Sequence, residues 1–342
     1  MHNPLPLKLL VCEFITGGGL MGEEIPTSLA KEGLLMRDAL LGDLSTVSNL
    51  TLITTFDQRF SPFPHHALQS IQIDEKTDVW LLWESLIDQV DAVWWVAPET
   101  NDILYRLTQL TVLKNKRVIG SGVDAIAITS KKDLTAHTLS ESGIPSIPAT
   151  RYQSWHDSQY CRWLVKPNDG AGCEDTYLFE LPEQVHQWFE SNPEKQLSYV
   201  IQPWIEGVAA SMSVLAYENT VEVLSCNEQL IVFKAEGTKK KLSYAGSRVN
   251  HMVDYSQAFI DLARQIQQSI PDLQGYYGVD VVIHPENLQS MTVVEINPRL
   301  TTSYVRLKEA MNTNPAQLIL DALTQKNFAM PKFEYLKVAF YV

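Results

Sequence analysis

Four residues near the C-terminus have the types and spacing of a metal-dependent phosphate site. Asp280 lies in GVDVVI (278–283), and Glu295, Asn297 and Arg299 lie in VEINPRLTTSY (294–304). Both runs alternate at period 2 and read as strands joined by a short turn within HPENLQSM. One face then carries Asp280, Val282, Val293, Glu295 and Asn297, and the other Val279, Val281, Val294 and Ile296. Antiparallel pairing about residues 287–288 sets Asp280 opposite Glu295. Two carboxylates and an amide oxygen on one rigid face are hard ligands suited to Mg²⁺ or Mn²⁺, and the guanidinium just beyond can hold phosphate oxygens. A solvated, polar-faced hairpin is the plain alternative, and a single Asp-x-Val strand taken alone favours it. Acids flanked by Val and Ile, with Pro298 and Arg299 following at once, fit it less well.

Other candidates are weaker singly. Lys166 ends an apolar strand and precedes Asn168-Asp169-Gly170-Ala171-Gly172, a loop whose N–H groups could fold over phosphates. An ordinary Asp-Gly hairpin competes with that reading. A helix from about Lys132 to Ser142 stops at Gly143, with Pro145 beyond. LSYVIQPWIEG (197–207) gives a strand running into Gln202, Pro203, Trp204 and Glu206. Gly17-Gly18-Gly19 do not form GxGxxG, and a tight turn is the favoured reading for them. Arg248 could clamp a substrate carboxylate or lie solvated.

The elements that position these residues fall into three parts. Residues 1–120 alternate apolar strands (8–15, 50–56, 91–98, 116–122) with helical runs, an open α/β pattern. Residues 121–206 hold the lysine helix, the glycine loop and the strand into Trp204. Residues 207–342 hold paired strands turning at Glu218-Asn219, an amphipathic helix with Ile260, Ala263, Ile266 and Ile270 on one face, the carboxylate hairpin, a further helix and a closing strand from Phe333. The tryptophans Trp80, Trp83, Trp94 and Trp95 fall in apolar runs and read as core.

The 342 residues are 45% hydrophobic, enough for a large core. A net charge of −13 argues against nucleic acid as the main partner. Four scattered cysteines without a CxxC pair argue against a zinc cluster or a disulfide framework. No signal peptide or membrane span is visible, so a reduced, cytoplasmic protein without membrane association is expected.

In chain order, the lysine-headed helix, Val165-Lys166-Pro167, the glycine loop, Gln202-Pro203-Trp204-Ile205-Glu206-Gly207, the Asp280 strand and Glu295-Ile296-Asn297-Pro298-Arg299 resemble the ATP-grasp superfamily over about residues 120–325. The resemblance implies an α/β (α+β) ATP-grasp fold with an N-terminal Rossmann-like (pre-ATP-grasp) domain. It implies ATP and two Mg²⁺ or Mn²⁺ ions as cofactors. By position, Lys132, rather than Lys131, and Lys166 would meet phosphates, and Gly170, Ala171 and Gly172 would form the lid. Gln202, Pro203 and Trp204 would line the adenine hinge, with Glu206 at the ribose. Asp280, Glu295 and Asn297 would bind metal, and Arg299 would stabilise the phosphoryl group in flight. The implied chemistry activates a carboxylate as an acyl phosphate, which an amine then attacks. The EFITGGG start, SMSVL and EINPRLTTSY together look like the tyramine–glutamate ligase family of methanofuran and methylofuran biosynthesis. That likeness implies the γ-carboxylate of glutamate as acid and tyramine or tyrosine as amine, with Glu13, Thr16, Thr301 and Thr302 near the acceptor. The partners would be these small molecules, with a homodimer in keeping with the superfamily. A ligase for another amino acid or peptide, and a non-catalytic ATP-binding module, stay open; the intact site residues speak against the module.

Overall fold

The apolar runs of the first part assemble as parallel strands. The structure, a computed structural model, describes residues 6–65, 68–156, 162–170 and 172–341. Strands β1 (Leu7–Glu13), β2 (Leu50–Asp57), β3 (Leu68–Ile73), β4 (Ala92–Val96) and β5 (Arg117–Val118) lie in the order β3-β2-β1-β4-β5. β1 runs parallel to both β2 and β4, as the open α/β pattern predicts. Its alternate residues serve two cores. Leu9 and Val11 pack with α1 (Thr27–Leu44), while Leu10 and Cys12 pack under α2 (Val79–Asp88) and α3 (Ile103–Leu113). Trp83, Trp94 and Trp95 are buried as expected, and Trp80 packs half-buried beneath Arg106.

Two short helices lead out of this unit, α4 (Val123–Thr129) and α5 (Lys132–Glu141). The remaining strands are β6 (Thr150–Arg151), β7 (Trp163–Pro167), β8 (Tyr177–Phe179), β9 (Tyr199–Pro203), β10 (Val208–Tyr217), β11 (Thr220–Glu236), β12 (Lys239–Val249), β13 (Gly275–His284), β14 (Asn287–Asn297) and β15 (Val338–Tyr341). They form one sheet in the order β14-β13-β10-β11-β12-β8-β7-β9-β6, with β15 paired to β12. The predicted turn at Glu218-Asn219 joins β10 to β11, and Glu218 adopts the left-handed conformation.

Helices complete the layers. α6 (Pro182–Ser191) covers β7–β9 through Val185, Trp188 and Phe189. α7 (Ser256–Ser269) lays Phe259, Leu262, Ala263 and Ile266 chiefly on β11 and on β10 beside it, with Ile260 at the half-buried margin of that face. α8 (Leu307–Met311) and α9 (Pro315–Thr324) return to α1. Asp43 secures this return, accepting from Tyr304 Oη at 3.0 Å and pairing with Lys308 at 3.0 Å. The closing strand is shorter than its sequence run, since only residues 338–341 of it are strand. Among the described residues no helix is long and apolar enough to cross a membrane.

Candidate active site

The cavity forms where the parallel sheet changes direction. β1 and β4 are neighbours whose flanking strands lie on opposite sides, and open α/β sheets bind ligands beyond the carboxyl ends of such a pair. Residues following β1 and β4 make one wall, β7 and the glycine loop a second, and β10–β14 the floor. The enclosed volume is about 640 Å³.

On the floor, Asp280 pairs directly with Glu295 across β13 and β14, as their spacing predicts. The turn differs from expectation, since His284 pairs with Asn287. Irregularities at Ile283/His284 and then at Asp280/Val281, the second a one-residue bulge, bring Asp280 opposite Glu295. The extra residue also flips side-chain parity. Val293, expected beside Glu295, packs in the core with Val281, and Val294 faces the cavity. Gln229 Nε2 donates to Asp280 Oδ1 at 2.9 Å, and Asn297 Nδ2 lies 3.5 Å from Oδ2. Burial and the facing Glu295 push the Asp280 carboxyl up to about 8. Burial also opposes charge on Glu295, but Lys132 and Lys166 outweigh it and hold that carboxyl down at about 2.

The two lysines arrive from different elements. Lys132 heads α5, and its ammonium donates to Gly170 O at 2.5 Å and lies 3.4 Å from Glu295 Oε2. Lys166, on β7, sits 3.6 Å from the same oxygen, and burial together with nearby Lys132 lowers its pKa against the pull of Glu295. Lys131 turns away, to Asp102 at 2.8 Å and Asp169 at 3.3 Å. The glycine loop is tied to the N-terminal unit as well. Asp169 Oδ2 accepts from Asn101 N–H at 3.2 Å, and its carbonyl accepts from Thr100 Oγ1 at 3.2 Å. Gly170 and Gly172 line the cavity, Gly172 with φ 66°, whereas Ala171 lies outside the described residues.

Arg299 meets a partner that sequence reasoning missed. Its Nη2 donates to Glu99 Oε2 at 3.0 Å, and Nε stands 2.9 Å from Oε1, a contact too bent for a hydrogen bond and therefore ionic. Both groups are buried.

At the far end, Pro203 and Trp204 line an apolar slot with Ile147, Leu164, Met212 and Leu242. Gln202 is fully buried behind it, donating to Ile147 O at 3.4 Å, and Glu206 points to solvent and pairs with Arg162. On the N-terminal side, Thr301 and Thr302 line the cavity and bond to the hydroxyls of Tyr276 (2.9 Å) and Tyr244 (3.0 Å). Glu13 lines it too, but its carboxylate is committed to the N–H groups of Ile15 and Thr16 and to Thr16 Oγ1 at 2.6 Å. Thr16 therefore fixes Glu13 and is not on the wall. Arg248 is also off the wall, paired with Glu228 at 3.0 Å. Gly17–Gly19 lie in a short π-helical turn (Ile15–Gly19) away from the cavity, in place of the expected tight turn. Gly18 has φ 103°, and a Cβ there would stand 2.7 Å from Ile73, so glycine is required for the backbone alone.

The donor set suits a hard divalent cation beside polyphosphate: two opposed carboxylates, an amide, two lysines and an arginine. Among the described residues no group of three or more His, Cys, Asp or Glu forms a metal cluster, and Cys12, Cys173 and Cys226 are free thiols. An ATP-grasp domain matches residues 129–303, just over half of the chain.

The chain belongs to the ATP-grasp family. A pre ATP-grasp 3 domain matches residues 50–126 ahead of it. The tyramine–L-glutamate ligase of Methanocaldococcus fervens is 25% identical over 302 residues, 88% of this chain and 89% of that protein. Its namesake in Methanocaldococcus jannaschii is 26% identical over 295 residues, 84% and 81% of the respective chains. The fold is shared with a putative ATP-grasp superfamily protein from Archaeoglobus fulgidus, at TM-score 0.69 and 22% identity, covering 98% of this chain and 99% of that one. Within this ATP-grasp chain, Glu99 and Gln229 also belong to the site's polar network and Glu32 lines the cavity, and none of the three carried a local motif. Glu99 had one usable signal, an acid three residues past the end of a buried parallel strand, where such sheets place function.

Proposed function

We propose that this ATP-dependent ligase joins the γ-carboxylate of glutamate to the amine of tyramine or tyrosine, releasing ADP and phosphate. The observation that carries the reading is the registered pair Asp280–Glu295 beneath Lys132 and Lys166, with Arg299 alongside. The names of the two archaeal relatives supply the substrate choice.

Asp280, Glu295 and Asn297 would hold Mg²⁺ or Mn²⁺, which when bound neutralises phosphate charge. Lys132 and Lys166 bind the triphosphate, with Gly170 and Gly172 on the wall beside it. The purine lies in the slot of Pro203 and Trp204. Arg299, fixed by Glu99, stabilises charge on the phosphoryl group as it passes to the carboxylate. The amine then attacks the acyl phosphate, the C–N bond forms, phosphate leaves with the C–O electron pair, and the amine proton is lost. Thr301 and Thr302 stand where the acceptor side of this reaction would lie. No role is assigned to Arg248, Glu206 or Thr16 in contact with substrate.

The test is ADP release with Mg²⁺ or Mn²⁺, glutamate and a panel of amines, with mass spectrometry of products. Amine-dependent ADP and a γ-glutamyl amide are expected. Absence of ADP with glutamate and every amine would withdraw the substrate choice, and the same assay with other amino acids would then identify the acid.

A further inference from the structure

The cavity is chemically asymmetric. Its phosphate end holds Lys132, Lys166 and Arg299, the only Lys and Arg on its walls among the described residues. The lobe reaching into the N-terminal unit is walled by Phe14, Ile15, Leu20, Leu29, Met36 and Ile103. Among the described residues no Lys or Arg lines that lobe, but two carboxylates do, Glu13 and Glu32. Glu13 is already saturated by its own turn. Glu32, half-buried on α1, makes no hydrogen bond or ion pair with any described residue. A carboxylate in an apolar lobe without a partner is costly unless something cationic joins it.

Arg299 lies between the two ends. Its charge is felt by Glu295 on the phosphate side and by Glu32 on the lobe side. It does not neutralise Glu32, because its guanidinium is spent on Glu99. An acyl group activated beside Arg299 would thus have the lobe behind it, with Glu32 as the group an incoming ammonium would meet.

We propose that the lobe of α1 and the β1 and β4 loops is the amine subsite, that Glu32 recognises the substrate ammonium, and that the subsite takes primary amines with an aromatic or apolar body and no carboxylate. This rests on the ligase reading above and deepens it. An amino acid brought in by its α-amino group would place its carboxylate beside Glu32 and Glu13, where the nearby guanidiniums are already engaged, Arg37 with Asp38 and Ser61 O behind the wall and Arg299 with Glu99. Like charge in a dry pocket is a strong means of exclusion. Tyramine satisfies the lobe and tyrosine does not.

Steady-state kinetics on the intact enzyme test this with tyramine, phenethylamine and tyrosine as acceptors. We expect kcat/KM for tyramine to exceed that for tyrosine by about 100-fold or more, with phenethylamine accepted. Glu32→Gln should raise the KM for tyramine about tenfold or more while moving the KM for ATP and glutamate by less than about threefold. Comparable use of tyrosine and tyramine overturns the proposal, as does a Glu32→Gln variant in which the glutamate KM rises in place of the amine KM. If that variant does not fold, the wild-type acceptor series decides. Trapping of the acyl phosphate with hydroxylamine separates the two levels. Wild-type enzyme that forms glutamyl hydroxamate but ignores the acceptor's carboxylate refutes the amine subsite alone, whereas no hydroxamate refutes the glutamate ligase beneath it.

Discussion

Two pairs of buried charge sit within one cavity and are built in opposite ways. Glu99 and Arg299 are a closed pair: opposite signs, contacts of 2.9 and 3.0 Å, side chains only 5% and 11% exposed. Asp280 and Glu295 are an open pair: like signs set across from each other by strand register. Lysines approach only Glu295, and only to 3.4 and 3.6 Å. A closed pair compensates its own desolvation and holds two elements together. Like charges forced together remain expensive until a further cation arrives. The difference separates structure from chemistry: the first pair aligns the N-terminal unit with the end of β14, and the second is arranged for a ligand that completes it.

The comparison breaks if the open pair proves structural. Glu295→Gln should lower metal-dependent ADP formation by at least about a thousandfold, because charge stabilisation carries most of the barrier reduction in phosphoryl transfer. Asp280→Asn should act in the same direction while leaving the apo protein's melting temperature unchanged or higher, since it removes a carboxylate that burial and Glu295 already disfavour in charged form. A melting temperature several degrees lower in Asp280→Asn would place that residue with the structural pairs. Unchanged turnover in Glu295→Gln would remove the metal assignment.

Glu99→Ala probes the closed pair. It leaves Arg299 buried and uncompensated, and should cost about 3 kcal/mol or more of stability. Chemical denaturation measures this directly. A loss below about 1 kcal/mol would mean that Arg299 finds another partner, such as Glu32, whose charge it already feels. Lys166→Ala is expected to do less. One charged contact to phosphate is worth about 2 kcal/mol, roughly a thirtyfold weaker ATP affinity by calorimetry, because Lys132 still reaches the same site. Equal affinity would place the phosphate cradle elsewhere.

What the sequence revealed follows the same division. The register of Asp280 with Glu295 was legible because period 2 and a short turn leave few pairings. The bulge that moves Val293 to the core and Val294 to the cavity was not, since no residue type marks it. α3 escaped notice because two of its buried positions are Thr108 and Thr111, which break the apolar signal; Thr111 is there to accept from Trp95 Nε1 at 2.9 Å. β12 begins Lys239-Lys240-Lys241, a run with no strand signal of its own, and the seventeen-residue β11 supplies the ladder that draws it into the sheet. Glu99 and Glu32 lie 200 and 267 positions from Arg299. Contacts that span the fold leave no local pattern, so the N-terminal contribution to the cavity became visible only in three dimensions.

The same logic applies to Arg248, for which the sequence left a carboxylate clamp and a solvated arginine both open. β11 and β12 place Arg248 directly across from Glu228, and the two meet at 3.0 Å with the guanidinium 41% exposed. Glu228 reaches the cavity wall and Arg248 does not, so the arginine faces its strand partner and solvent. A solvated cross-strand pair contributes little, and nothing on the wall depends on it. Arg248→Ala should therefore change kcat and the KM for glutamate by no more than about twofold. A tenfold rise in the glutamate KM, only partly restored by Arg248→Lys, would show a guanidinium that leaves Glu228 to grip the acid substrate. That result would make the Glu228–Arg248 pair a third kind, closed at rest and opened by substrate.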